Sequence, residues 1–189
     1  MLPADEPALS KSDWIVLSLV CEGPTHGNAV TRLLSQDGDL GRIWRVQRGE
    51  VYRSLDRLSD LGLIRSAGME PSPHGPVRSL VEATEAGQAA ARSWQRRPVQ
   101  HPRDIRSELL VKLALLQRSG ADPNDLLVAQ HAILVPIAGA LRDRMDTATG
   151  FERTLLLWRY QTASATVRFL DALVLTPASP SAHTQPPAG

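Results

Sequence analysis

The sequence predicts a mainly α-helical protein in two parts, with short helices and one β-hairpin first and long helices after. Three observations predict it. From residue 12 onward, apolar residues recur at spacings of three and four, which gathers them on one face of a helix. The Pro/Gly-rich stretch "GMEPSPHGP" stands between "LIRSA" and "VRSLVEA", the pattern of two short strands joined by a turn. Beyond Asp104 the breaks become rare and the helical spacing runs on in longer segments.

Composition narrows the class of molecule. With 189 residues, 42% of them apolar, the chain can bury one substantial core or a small domain plus an accessory one. Its single cysteine, Cys21, lies in the apolar run "WIVLSLVC" and leaves neither a disulfide framework nor a cysteine metal site. The opening "MLPADEPALSKSDW" has acids where a secretory signal is basic, and no uninterrupted apolar run approaches the ~18 residues of a membrane span. A soluble cytoplasmic protein is the expectation. The net charge of +1 says little as a total. Locally, however, Arg42, Arg45, Arg48, Arg53, Arg57 and Arg65 face only Glu50, Asp56 and Asp60.

Residues 12–21 carry Trp14, Leu17 and Cys21, with Ile15, Val16, Leu19 and Val20 filling the rest of the circumference, so a nearly all-round buried helix is expected. "EGPTHG" breaks it, and Thr25 is placed to cap a second helix bearing Val30, Leu33 and Leu34. A third helix from about Gln47 turns Val51, Leu55, Leu58 and Leu61 to the core and arginines outward, and Gly62 ends it. The hairpin follows. Thr84 caps a fourth helix through Ala90 and Trp94, which "RRPVQHP" stops.

In the second part, Ile105, Leu109, Leu113 and Leu116 keep helical spacing up to Gly120. Asp122 and Pro123 start a helix that reaches about Asp146 and that Pro136 should kink. The last helix, 151–175, places Phe151, Leu155, Trp158, Thr162, Ala165, Phe169 and Ala172 at alternating spacings of four and three, a heptad-like seam. That seam is the candidate dimer element, with packing against the preceding helix as the other reading. The proline-rich end, 177–189, reads as a disordered tail.

Catalytic signatures are missing: no G-x-S-x-G, no G-x-x-x-x-G-K-[ST], no G-x-G-x-x-G and no H-E-x-x-H. A non-enzymatic protein without cofactor or metal is expected. His131, in "LLVAQHAIL", reads as a buried, hydrogen-bonded histidine. Glu22 and His26 stand four apart, but Gly23 and Pro24 interrupt any helix that would pair them.

The order helix, helix, helix, strand, wing, strand describes a winged helix-turn-helix over residues 10–96, followed by an all-helical dimerisation domain over 104–176. The arginine-bearing third helix stands where a recognition helix belongs. Its plain alternative is a solvated face on which Arg53, Asp56, Arg57 and Asp60 pair among themselves.

Three motifs carry a family resemblance. They are E-G-P-x-H-G at Glu22 to Gly27, G-x-x-Y-x-x-L-x-R-L at Gly49 to Leu58, and the D-x-G-L-I end at Asp60 to Ile64, with "TEAG" following. In order and spacing the chain resembles the PadR family of bacterial transcriptional regulators, over residues 14–87. The helical second half is similar to the longer branch of that family, whose C-terminal helices serve in dimerisation. The resemblance implies a homodimeric repressor that binds a palindromic DNA operator and is released by a small aromatic or drug-like inducer. Two positions depart from the pattern: Asn28 stands where many relatives have tyrosine, and Val81 and Ala83 where the second wing strand often has tyrosine and leucine.

On this reading Gln47, Arg48, Glu50 and Arg53 lie nearest base edges. Tyr52, Arg57 and the start of helix two at Thr25, His26 and Asn28 hold phosphates, and His74 and Arg78 come from the wing. Trp14, Trp94 and Trp158 are candidate ligand-stacking residues, or else core and interface anchors. Phe151, Leu155, Trp158 and Phe169 are the dimer candidates. A rival from another class is a protein of the same fold that sequesters a small molecule, with weak or lost DNA binding.

Overall fold

The computed structural model describes residues 7–71 and 77–175; His74 and the expected tail at 177–189 lie outside them. The chain divides into two compact units, 1–129 and 130–189.

The first unit is built around α1 (Lys11–Val20), whose residues from Ser12 to Val20 are all buried. Ser10 and Asp13 close a reciprocal capping box at its start, satisfying two backbone donors that would otherwise be orphaned. Three further helices, α2 (Gly27–Leu33), α3 (Arg48–Asp60) and α4 (Glu85–Arg96), enclose it with the hairpin of β1 (Ile64–Glu70) and β2 (Arg78–Ala83). Together they make a winged helix-turn-helix. Trp14, Leu17, Leu34, Val51, Leu58 and Trp94 are members of one continuous core.

Thr25 does not cap α2. Its backbone exchanges two hydrogen bonds with Val81, at 2.9 and 2.7 Å, an isolated antiparallel bridge on the edge of the two-stranded wing. That holds Thr25 outside the helix, and His26 takes the capping position, its Nδ1 accepting from the Ala29 amide at 3.1 Å. Val81 and Ala83 pack against the core, so this strand is anchored without the larger side chains.

Leu61 was expected on the core face of α3 and is half exposed, because it is the C-cap, where the chain leaves the helix. Ser54 is buried in its stead, beside Val51, Leu55 and Leu58. Gly62, at φ +67°, supplies the left-handed turn. The amides of Gly62 and Leu63 then reach back to the carbonyls of Ser59 and Leu58, both at 2.9 Å. Thr84 caps α4 by accepting from Gly87.

The first unit runs on past residue 96. A 3₁₀ turn at Pro102–Asp104 and a π-helical turn at Ile105–Leu109 lead into α5 (Leu110–Arg118), whose Val111 and Leu115 join the same core as Trp14 and Trp94. The wider π turn shifts the helical phase. Val111, Lys112, Leu115 and Leu116 are therefore buried, while Leu113 is only half so.

Two long helices follow, α6 (Asn124–Met145) and α7 (Gly150–Leu175). Asp122 accepts from the Asn124 amide at 2.9 Å at the start of α6, and Pro136 lies inside it. By length and composition α6 is the one described helix able to cross a membrane, with mean hydropathy 1.3 over its most apolar window. Within the second unit, His131–Asp171 at one end and Arg144–Glu152 at the other tie α6 and α7 as an antiparallel pair. His131 is thus half exposed beside a carboxylate rather than buried.

The buried residues of α7 are Leu156, Ala163 and Leu170, with Tyr160 and Val167 half-buried between them. This intrachain face lies one residue, about 100°, around the helix from the seam read in the sequence. Phe151 is 80% exposed, Trp158 66% and Phe169 37%, and Leu155 is half-buried.

Candidate nucleic-acid interface

Four buried residues, Val51, Ser54, Leu55 and Leu58, fix α3 on the first unit, and the helical period then decides what its other sides present. Arg53 stands opposite them in solvent, its Nε donating to the Gly49 carbonyl one turn back at 3.3 Å. Arg48 and Tyr52 share one flank. The Arg48 guanidinium lies 5.6 Å from the Tyr52 ring centre, a cation–π contact that orients both side chains. Gln47, at the N-cap, makes no side-chain capping bond and is exposed, and Glu50 is half-buried.

Tyr52 reaches the start of α2. A Cβ on Gly27 would stand 2.9 Å from two atoms of its ring, so glycine there is what lets the ring lie on the backbone. Next to Gly27, His26 is turned so that its Nε2 lies 3.3 Å from Arg78 Nη1 at the start of β2. Because Nδ1 accepts from Ala29, the neutral ring carries its proton on Nε2. Two donors therefore converge with no acceptor between them, a pair that an anionic oxygen would satisfy. Asn28 is exposed beside this pair. Thus Arg48, Tyr52, His26, Asn28 and Arg78 form one continuous surface, with Arg53 next to Tyr52 along α3.

Charge pairing separates the arginines. Among the described residues, Arg48, Arg53 and Arg78 have no carboxylate partner, whereas Arg65 pairs with Glu82 at 2.8 Å and Arg118 with Glu22 at 2.7 Å. Arg57 is on the other flank of α3, donating to the Ala8 carbonyl at 2.8 Å with its Nε 3.8 Å from Asp13. The ladder of pairs among Arg53, Asp56, Arg57 and Asp60 does not form. Glu22 and His26 do not meet either, since each is held by other groups. Arg42 and Arg45, counted in the local excess but given no role, stand exposed between α2 and α3, and Arg45 donates to Gln36 at 3.4 Å.

Trp14 and Trp94 are buried and stacked on each other, their ring centres 5.8 Å apart. Trp158 belongs to the second unit. Among the described residues no cluster of His, Cys, Asp and Glu could hold a metal ion.

Residues 16–93 match the transcriptional regulator PadR-like family. Among solved structures, Bacillus subtilis PadR in complex with operator DNA is 18% identical and covers 86% of this chain and 97% of its own, with a TM-score of 0.44. The same protein in complex with p-coumaric acid is 16% identical, covering 89% and 96%, with a TM-score of 0.41. The smu.1604c protein of Streptococcus mutans is 13% identical, covering 87% and 98%, with a TM-score of 0.40. No curated protein sequence matches the chain. The matched segment runs from within α1 to most of α4 and contains every described DNA-contact candidate.

Proposed function

We propose that the protein is a cytoplasmic, DNA-binding transcriptional repressor that acts as a ligand-responsive homodimer on a palindromic operator. The observation that carries this reading is the set of unpaired cations Arg48, Arg53 and Arg78 on a surface that includes the converging donors of His26 and Arg78. Arginines grouped without carboxylates make the surface locally positive, and duplex DNA supplies phosphates at regular spacing.

In this reading α3 enters the major groove, with Gln47, Arg48, Glu50 and Arg53 nearest base edges. Tyr52, Asn28, His26 and Arg78 hold phosphates, and Thr25 supports them through its bridge to Val81. Arg57 contributes at the margin, because its guanidinium is already drawn to the Ala8 carbonyl and Asp13 on the other flank of α3. His74, which lies outside the described residues, is kept as a candidate contact on its sequence position alone. One short helix reads only a few base pairs, so two copies spaced about one DNA turn, ~34 Å, supply specificity. The seam of exposed Phe151, Trp158 and Phe169 with half-buried Leu155 on α7 is the surface for that pairing.

Fluorescence anisotropy with a labelled duplex from the protein's own promoter tests the reading. Sub-micromolar affinity that falls steeply with added salt, and a loss of affinity in Arg53→Ala with the oligomer intact, are expected. Weak binding to every duplex alike would instead favour a small-molecule-sequestering protein on the same fold.

A further inference from the structure

The outward side of α3 carries acid as well as arginine. Val51, Ser54, Leu55 and Leu58 set the inward direction, and a helix of ~3.6 residues per turn then turns Asp56 almost opposite to them. In angle it falls between Tyr52 and Arg53, and it lies ~5 Å further along the axis. Asp56 is exposed, and among the described residues no cation comes within ion-pairing distance of it.

Both arginines within reach are turned elsewhere. Arg53, three residues back, donates from Nε to the Gly49 carbonyl at 3.3 Å, and Arg57, the next residue, is drawn to the Ala8 carbonyl and Asp13. Nothing in the fold calls for an acid at this position. Asp56 lies outside the buried face, caps no helix end and pairs with no described charge, and aspartate is a weak helix former in a helix interior. A lone anion thus stands on the same side of α3 as the unpaired Arg53.

Against a duplex, a carboxylate so placed has two fates. Facing a phosphate it is repelled, because two anions meet. Facing a base edge it needs a donor, and the major groove offers two, the N6 amino group of adenine and the N4 amino group of cytosine. Adenine sets its amino group beside the N7 acceptor, which matches the donor and acceptor of an amide side chain. Cytosine presents the amino group alone, which matches a carboxylate.

We infer that Asp56 is a specificity-determining residue of the DNA-binding surface: its carboxylate accepts from the N4 amino group of one cytosine in each half-site and opposes duplexes that lack it. The inference rests on the DNA-binding reading above and adds to it the base that one position demands. Arg48, Arg53 and Arg78 attract phosphates of any sequence, and Asp56 subtracts from that attraction wherever the cytosine is missing.

The test is Asp56→Asn, which removes the charge and keeps the shape, with circular dichroism melts to confirm that the variant folds as the parent does. Parent and variant, each as the full chain, are titrated by fluorescence anisotropy against the protein's own promoter duplex and a scrambled duplex of the same composition. A set of promoter duplexes with each base pair exchanged in turn completes the series. The variant should bind the scrambled duplex more tightly and the promoter duplex no more tightly, so that the ratio between them falls by about fivefold or more. In the exchange series it should lose discrimination at one C·G pair per half-site and keep it elsewhere. Equal tightening on both duplexes would show that Asp56 only faces phosphates, and unchanged discrimination at every position would show that it touches no base; either result overturns the inference alone. A parent that binds all duplexes alike overturns the DNA-binding reading, and the role of Asp56 with it.

Discussion

The rings of Trp14 and Trp94 lie 4° from parallel with their centres 5.8 Å apart, joining α1 to α4 inside the core of the first unit. Each is about 5% exposed, and the pair buries two of the largest apolar surfaces in the chain. Trp94→Ala should cost roughly 3–5 kcal/mol of stability, since the rings of Trp14 and the surrounding helices cannot collapse into so large a void. Urea unfolding of the variant measures it; a loss below about 1 kcal/mol would mean that the stack is dispensable.

Lys112 presents a second relationship with the same ring. Its ammonium is buried 4.6 Å from the centre of Trp94 and donates to Glu108 at 2.8 Å and to the Arg97 carbonyl at 2.9 Å. Burial lowers its pKa from the ordinary 10.5, and the hydrogen bond to Glu108 opposes that only in part. The unfolded chain therefore keeps this proton to higher pH than the folded one, and stability should rise as pH climbs from the folded value toward 10.5. Lys112→Met should flatten that rise and, at pH 7, destabilise by about 1–3 kcal/mol, because two charge-assisted hydrogen bonds, to the Arg97 carbonyl and to Glu108, are lost. Adding Glu108→Leu should recover most of the loss, because Lys11 retains Asp104. Thermal melts across pH 7 to 10 on the two variants decide it.

Much of the fold was legible because local chemistry and packing agree in the first unit. The capped start at Thr84, the glycine stop at 62 and the apolar spacing of α3 each specify one conformation. What escaped were effects that depend on distant partners. Thr25 was misread as a cap because its bridge to Val81, across 56 positions, leaves no local trace. The π turn at Ile105–Leu109 shifted the buried face of α5, and no spacing rule in the segment signals it. In the candidate interface, charge identified the arginines, but only their partners separated Arg57, held by Ala8 and Asp13, from Arg48 and Arg53.

Gly87 shows how tightly the motif "TEAG" is constrained. A Cβ there would stand 2.0 Å from the Leu63 carbonyl oxygen, a backbone atom that cannot swing aside. Gly87→Ala should destabilise by about 2–4 kcal/mol by forcing α4 away from the start of β1. An unchanged melting temperature would show that α4 shifts freely.

Arg53 and Arg57 are one helical turn apart and should respond oppositely to removal. Arg57→Ala loses the bond to the Ala8 carbonyl and weakens a contact with buried Asp13, so about 1 kcal/mol of stability should go. Its effect on DNA affinity should be smaller than that of Arg53→Ala, which touches only its own helix and should leave stability within ~0.5 kcal/mol of the parent. Parallel unfolding and anisotropy measurements on both variants settle the assignment; a larger affinity loss for Arg57→Ala would reverse their roles.

The exposed seam of α7 leads to the last prediction. Leu156, Ala163 and Leu170 are already buried in the single chain, while Phe151, Trp158 and Phe169, about 100° around the helix, are open. A second apolar stripe on one helix is costly in water unless another surface covers it. Phe169→Asp or Trp158→Glu should therefore dissociate the proposed dimer without unfolding the chain, whereas Leu170→Asp should unfold the second unit. Sedimentation velocity paired with circular dichroism distinguishes the two effects. If the first two variants sediment as the parent does, the seam does not mediate pairing, and the proposed dimer would have to form through some other face.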